Sequence, residues 1–120
     1  MSESVTTHPL EQEIEQEIRA HKIMIYSKGT QEFPRCGFTM ETAQFFSQLN
    51  VPFTMQDVLD NPEKRQYLSE KTDWPTLPKV FINGQFFGDT DILSEMLQTG
   101  ELHTVLKEAF GDAYQQPSAS

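Results

Sequence analysis

Trp74-Pro75-Thr76-Leu77-Pro78-Lys79-Val80-Phe81-Ile82-Asn83-Gly84-Gln85-Phe86-Phe87-Gly88-Asp89-Thr90-Asp91 decides the fold. Pro75 and Pro78 push the residues before them out of the helical region, so the segment enters extended. Val80-Phe81-Ile82 and Gln85-Phe86-Phe87 then flank Asn83-Gly84, and Asn-Gly between two apolar runs is the strongest short signal of a β-hairpin. Gly88-Asp89-Thr90-Asp91 is a turn into a helix that carries Ile92, Leu93, Met96 and Leu97, with Gly100 at its end. A last helix from Leu102 to Phe110 buries Leu102, Val105, Leu106 and Phe110.

Upstream of this stretch the periodicity changes twice. Leu10, Ile14 and Ile18 recur every fourth residue among Glu11, Glu13, Glu15 and Glu17, the pattern of an amphipathic helix with a solvated acidic face. Ile23-Met24-Ile25-Tyr26 is a short β-prone run with no polar face, as in a strand covered on both sides. A loop from Ser27 to Arg35 leads to Cys36 and a helix through Leu49, with Ala43, Phe46 and Leu49 on one face, Asn50 at its end and Pro52 beyond. Phe53 to Val58 reads as a second strand. Asn61-Pro62-Glu63 starts a short helix that ends near Lys71, with Asn as N-cap and Pro at the first helical position. The order is α-β-α-β-α-β-β-α-α. The first β-α-β unit requires a parallel pair and the hairpin adds an antiparallel one, so the expected fold is α/β, a four-stranded mixed sheet flanked by helices. Met1 to Pro9 and Gly111 to Ser120 read as flexible ends around one domain over residues 10–110.

Composition removes several classes of function. A net charge of -9 and a pI of about 4.6, with basic residues scattered, exclude a general phosphate-backbone binder, so no nucleic acid is expected. No apolar run approaches the length of a membrane helix, and the mean hydropathy is -0.52. The N-terminus has neither the apolar stretch of a secretory signal nor the arginines of a transit peptide, which makes the expected location cytoplasmic. Cys36 is the single cysteine, so an internal disulfide and a zinc site of this chain's own thiolates are both impossible. His8, His21 and His103 are not at ligand spacing.

Cys36 falls at a helix start, where unpaired amides and the helix dipole favour negative charge and lower a thiol's pKa. Its alternative reading is an inert small hydrophobe. Position 39 holds Thr39 rather than a second cysteine, so any disulfide chemistry must recruit an outside thiol. Lys28, at the end of the first strand, and Arg65, on the short helix, either serve an anionic ligand at the carboxyl ends of the strands or are solvated surface charges. Pro78 fits either a cis bond beside a strand or an ordinary trans start. Thr90-Asp91 opens a helix whose amides suit a carboxylate, while Asp91 suits an ammonium group; an N-cap pair needs no ligand at all.

Lys28-Gly29-Thr30, Cys36-Gly37-Phe38-Thr39, Trp74-Pro75-Thr76-Leu77-Pro78 and Gly88-Asp89-Thr90-Asp91 resemble, in order and spacing, the motifs of monothiol glutaredoxins. The resemblance runs from about Leu10 to Phe110. It implies a thioredoxin-like fold and a glutathione site. In that site Lys28 and Arg65 bind the glycyl carboxylate, Leu77 pairs through its backbone with the cysteinyl part, and Thr90 and Asp91 hold the γ-glutamyl end. It implies Cys36 as both the redox thiol and the ligand of a 2Fe–2S cluster. Such a cluster takes four thiolates, so two chains and two glutathiones would complete it as a cluster-bridged homodimer. A mixed dimer with a BolA-type protein and transfer to acceptor apo-proteins are the other implied assemblies. The leading expectation is a cluster carrier with weak or no oxidoreductase activity. The alternatives are a glutathione-dependent thiol–disulfide oxidoreductase and an iron-sensing adaptor. Two residues depart from the family pattern: Thr39 stands where serine is usual, and Asp89 where glycine is usual.

Overall fold

The structure is a computed structural model and describes residues 9–114. Helix α1 (Pro9–Ala20) leads into β1 (Ile23–Ser27), then α2 (Gly37–Gln48), β2 (Thr54–Asp57) and α3 (Pro62–Thr72). The hairpin β3 (Lys79–Ile82) and β4 (Gln85–Gly88) follows, then α4 (Thr90–Thr99) and α5 (Glu101–Phe110). The strand order is β2-β1-β3-β4. β1 runs parallel to β2 and antiparallel to β3, with Ile25 opposite Met55 on one side and Val80 on the other. β3 and β4 close on the Asn83-Gly84 turn, where both residues have positive φ. Every residue of β1 and β3 is buried, as expected for central strands covered on both faces.

Alternation along the strands divides the core in two. Ile23, Ile25, Val80 and Ile82 face α2, α4 and α5 and pack with Phe46, Leu93, Leu102 and Leu106. Met24, Tyr26 and Phe81 face α1 and α3 and pack with Ile14, Ile18 and Leu68. Burial of each such side chain contributes about 1.5–3 kcal/mol.

The acidic face of α1 is more than solvated surface. Lys64 of α3 is buried, and its ammonium donates to Glu13 at 2.5 Å and to Glu17 at 3.1 Å, 5.5 Å from the centre of the Tyr26 ring. Tyr26 Oη and Gln56 Nε2 also donate to Glu17, at 2.6 and 2.9 Å. This network ties α1 to β1, β2 and α3. Periodicity alone misses it, because Glu17 and Lys64 are far apart in sequence.

Four residues of the tail expected from Gly111 fall within the described part of the chain. Residues Gly111–Ala113 form a 3-10 turn, and Tyr114 is buried at the end of α5 with its hydroxyl 2.5 Å from His103 Nδ1. Pro9, expected in the loose N-terminus, is the first residue of α1. The remainder of both expected ends, residues 1–8 and 115–120, lies outside the described residues. No helix among the described residues is long and apolar enough to cross a membrane.

Candidate functional site

The loop before α2 is built to hold Cys36 at a helix end. Gly29 has φ +102, and a Cβ there would lie 2.4 Å from the Phe33 carbonyl oxygen and 2.5 Å from the Arg35 nitrogen, so only glycine fits. Around it the chain folds back on itself: Arg35 N–H donates to the Lys28 carbonyl at 2.8 Å, and Thr30 N–H to the Phe33 carbonyl at 3.1 Å. The Arg35 guanidinium reaches Asp57 at 3.1 Å and Asp60 at 2.7 Å, which ties the loop to the β2–α3 connection.

Cys36 is the N-cap of α2, extended at φ -159, ψ 162, half-buried, and its side chain closes no cap hydrogen bond. Thr39, fully buried one turn later, connects the thiol to the strand end. Its Oγ1 accepts from Lys28 N–H at 3.2 Å and lies 3.5 Å from Cys36 Sγ. The Lys28 amide occupies a lone pair of that hydroxyl, which leaves its hydrogen for the sulfur. Partial burial works against ionisation of Cys36. The Thr39 hydroxyl, the nearby amides of Thr39 and Phe38, and the charge of Lys28 outweigh it and hold the thiol below its ordinary value. The extra methyl of Thr39, relative to serine, is accommodated without exposure.

Beside the thiol opens a cleft of about 380 Å³, lined by Lys28, Phe38, Arg65, Pro75 to Pro78, and Asp89 to Asp91. Lys28, Arg65, Leu77, Thr90 and Asp91, singled out in the sequence, thus meet in one wall, with Cys36 at its rim. Lys28 and Arg65 form no ion pair among the described residues, and Arg65 only touches the Leu59 carbonyl at 3.5 Å. The Leu77–Pro78 peptide is cis.

Sequence reasoning missed two features of this wall. The first is Lys79, which follows the cis-proline and is fully buried. Its ammonium donates to the carbonyls of Trp74 and Thr76, lies 5.9 Å from the centre of the Phe86 ring, and meets no carboxylate among the described residues, and burial pushes its pKa down to about 8. It holds the Trp74–Thr76 segment in place from behind. The second is the cap of α4. The Thr90-Asp91 pair was an N-cap candidate, yet Asp89 takes that role: its Oδ1 accepts from Asp91 N–H at 3.1 Å and Ile92 N–H at 3.3 Å. Thr90 is buried and donates its hydroxyl to Glu41 at 3.1 Å. The signal for both was in the sequence, a lysine inside an apolar run and a capping aspartate one residue earlier. Neither could be placed without knowing where the strand and the helix begin.

Among the described residues no group of three or more His, Cys, Asp or Glu side chains comes together to hold a metal. The donor set is one accessible thiol of depressed pKa next to a cleft with cationic and acidic ends.

A lone ionisable thiol at a helix start and a cis-proline just before β3, on a mixed sheet of order β2-β1-β3-β4, place the molecule among the thiol proteins of thioredoxin-like fold. The Glutaredoxin family model matches residues 23–87. The chain is 43% identical over 96 residues to an uncharacterized ycf64-like monothiol glutaredoxin of Synechocystis, an alignment that spans 80% of this chain and 90% of that one. It is likewise 43% identical over 95 residues to glutaredoxin 4 of Haemophilus ducreyi, with 79% and 89% covered. The solution structure of reduced apo GrxS14 from poplar superposes with a TM-score of 0.74 at 38% identity, over 83% of this chain and 92% of that one. A buckwheat glutaredoxin crystallised with glutathione superposes at 0.73 and 25% identity, over 82% and 87%. The chain belongs to the glutaredoxin family, in its single-thiol branch.

Proposed function

We propose that this glutaredoxin binds glutathione in the cleft beside Cys36 and uses the pair of thiols to hold a 2Fe–2S cluster as cargo for acceptor apo-proteins in cluster biogenesis and iron homeostasis. The observation that carries the reading is the coincidence of one half-buried, ionisable thiol with a peptide-sized cleft whose walls carry opposite charges. A cluster takes four thiolates, and this chain has one cysteine. A second sulfur per chain would come from the cleft ligand, and the remaining ligands from a second chain with its own glutathione or, in a mixed dimer, from a BolA-type partner. Lys28 and Arg65 would take the glycyl carboxylate, the Leu77 backbone the cysteinyl part, and the Thr90–Asp91 end the γ-glutamyl part. Thr39 would donate to the Cys36 sulfur and Phe38, largely exposed, would shield it from water. The same reading puts the protein in the reducing cytosol, where a lone cysteine stays unpaired.

Reconstitution with iron, sulfide and glutathione in the absence of oxygen tests this reading. The expected product absorbs visibly by sulfur-to-iron charge transfer and has the mass of two chains, and Cys36→Ser loses both. A colourless monomer overturns the carrier reading.

The depressed thiol pKa favours one second reading, a deglutathionylating oxidoreductase. The Cys36 thiolate would attack the glutathione sulfur of a protein mixed disulfide, form Cys36–S–S–glutathione and release the protein thiolate. A second glutathione thiolate would then attack, freeing Cys36 and leaving oxidised glutathione, so the disulfide is reduced at the expense of two glutathione thiols. The loop from Gly29 to Arg35 and the Gly37-Phe38 pair resemble those of the cluster-binding class of monothiol glutaredoxins, which favours the carrier, and rapid turnover of a small mixed disulfide would reverse that order.

A further inference from the structure

Lys79 stands behind the cleft wall, and its charge has no task in the reading above. A buried ammonium is costly unless an anion accompanies it. Lys79 is fully buried, and among the described residues no salt bridge includes it. Its ammonium donates instead to the Trp74 carbonyl and, at 3.1 Å, to the Thr76 carbonyl. A methionine of similar length would avoid the cost, so what the ammonium adds is its hold on those two carbonyls. The segment it holds has little else to fix it. Pro75 and Pro78 carry no N–H. Among the described residues, the backbone hydrogen bond of residues 74–78 outside the strands runs from Trp74 N–H to the Ser69 carbonyl at 3.2 Å, and Thr72 Oγ1 reaches the Trp74 carbonyl only at 3.5 Å. Yet Pro75, Thr76, Leu77 and Pro78 are four of the ten residues that line the cleft. No other group draws the ammonium away. Phe86 on β4 lies under it at 5.9 Å and packs on the Trp74 ring at 6.2 Å. Tyr26, its register partner on β1, donates its phenol to Glu17, and burial keeps that phenol's pKa well above the ordinary value.

We infer that Lys79 is a positioning residue whose positive charge fastens the Trp74–Thr76 segment and so presents the adjoining Leu77 backbone in the geometry that binds the cysteinyl part of a glutathione-type peptide. The inference rests on the glutathione reading and deepens it: a cation that never touches the ligand pre-organises the wall and raises the affinity of the cleft. Burial holds the Lys79 pKa at about 8, so the hold slackens as pH rises through that value. The neutral amine keeps its donors and loses the charge that strengthens their bonds.

S-methylglutathione, whose sulfur does not titrate, is the probe, followed by NMR in the reduced, metal-free protein at about pH 6.5 and about pH 9.5, either side of the Lys79 pKa. At the lower pH Lys79→Met is expected to bind it about tenfold more weakly than the unsubstituted protein, the usual worth of hydrogen bonds to a charged group. At the higher pH the difference should shrink to about threefold or less, and the ligand's own titration cancels in that ratio. Lys79→Gln returns a neutral donor, so it should bind about threefold more weakly than the unsubstituted protein at the lower pH and match it at the higher. Should Lys79→Met not fold, the glutamine comparison decides alone. Backbone 15N relaxation should show the Thr76 and Leu77 amides loosened in Lys79→Met. A loss below about twofold in Lys79→Met at the lower pH would mean that the wall needs no cation. A ratio that is the same at both pH values would mean that packing alone was lost. Either result overturns the inference while the glutathione reading stands. If neither S-methylglutathione nor glutathione binds the unsubstituted protein, the glutathione reading falls and this inference with it.

Discussion

Helices α2 and α4 begin on the same side of the sheet, at the rim and in the wall of one cleft, and each starts from an extended residue: Cys36 at φ -159, ψ 162 and Asp89 at φ -125, ψ -174. They use their unpaired amides in opposite ways. Asp89 accepts two hydrogen bonds from its own helix, whereas the Cys36 side chain accepts none that closes a cap. At α4 the positive end of the helix is spent on stability. At α2 it is left to act on a thiol, and the result is a sulfur more easily ionised than an ordinary one. The difference lies in the side chain at the cap. A carboxylate arrives with its charge and binds the amides outright, whereas a thiol only responds to them when it ionises.

The comparison breaks most completely if the loop before α2 is destroyed. Gly29→Ala forces a Cβ into the Phe33 and Arg35 backbone at a left-handed φ. It is expected to cost at least about 2 kcal/mol in urea unfolding and to slow alkylation of Cys36, while the α4 end keeps its cap. A loss below about 0.5 kcal/mol would mean that the loop does not need this conformation.

Replacing the two caps one at a time sharpens it. Asp89→Ala should lower stability by about 1 kcal/mol, the usual worth of an N-cap. Cys36→Ala should stay within about 0.5 kcal/mol of the parent protein, because no cap hydrogen bond is lost. Equal losses would show that both side chains cap.

The smallest effect concerns the pH at which Cys36 ionises. Its depressed pKa predicts that alkylation reaches half its maximal rate below about pH 8.5, the ordinary thiol value. Thr39→Val keeps the shape and removes the hydroxyl that donates to the sulfur, so the half-maximum should move up toward that value. By linkage, a thiol whose folded pKa lies below its unfolded one contributes stability that is fully present above the unfolded value and is lost as pH falls through the folded one. An unchanged profile in Thr39→Val would assign the depression to the helix amides and Lys28 alone.

The hairpin around Asn83-Gly84, the order of the elements and the position of Cys36 at a helix start were all legible in the chain, because each rests on local rules: turn chemistry, alternation, and proline before a helix or strand. The same local signals put Lys28, Arg65, Leu77, Thr90 and Asp91 in the candidate site, and the structure brings them to one cleft. Local rules failed where a residue's neighbours come from elsewhere in the chain. Glu17 read as part of a solvated face and is joined to Lys64 across a core face. Tyr114 read as part of a tail and is buried against α5. Lys79 sits in an apolar run with nothing local to show that its ammonium reaches back to the carbonyls of Trp74 and Thr76.

The chain's order of elements, its one thiol and the residue types around the site follow from sequence, since backbone sterics and hydrophobic period act over a few residues. Which helix start stays open for the thiolate and which is closed by its own aspartate was decided only in the folded molecule. That choice turns on the distance between a side chain and two amides, which no pattern in the sequence specifies.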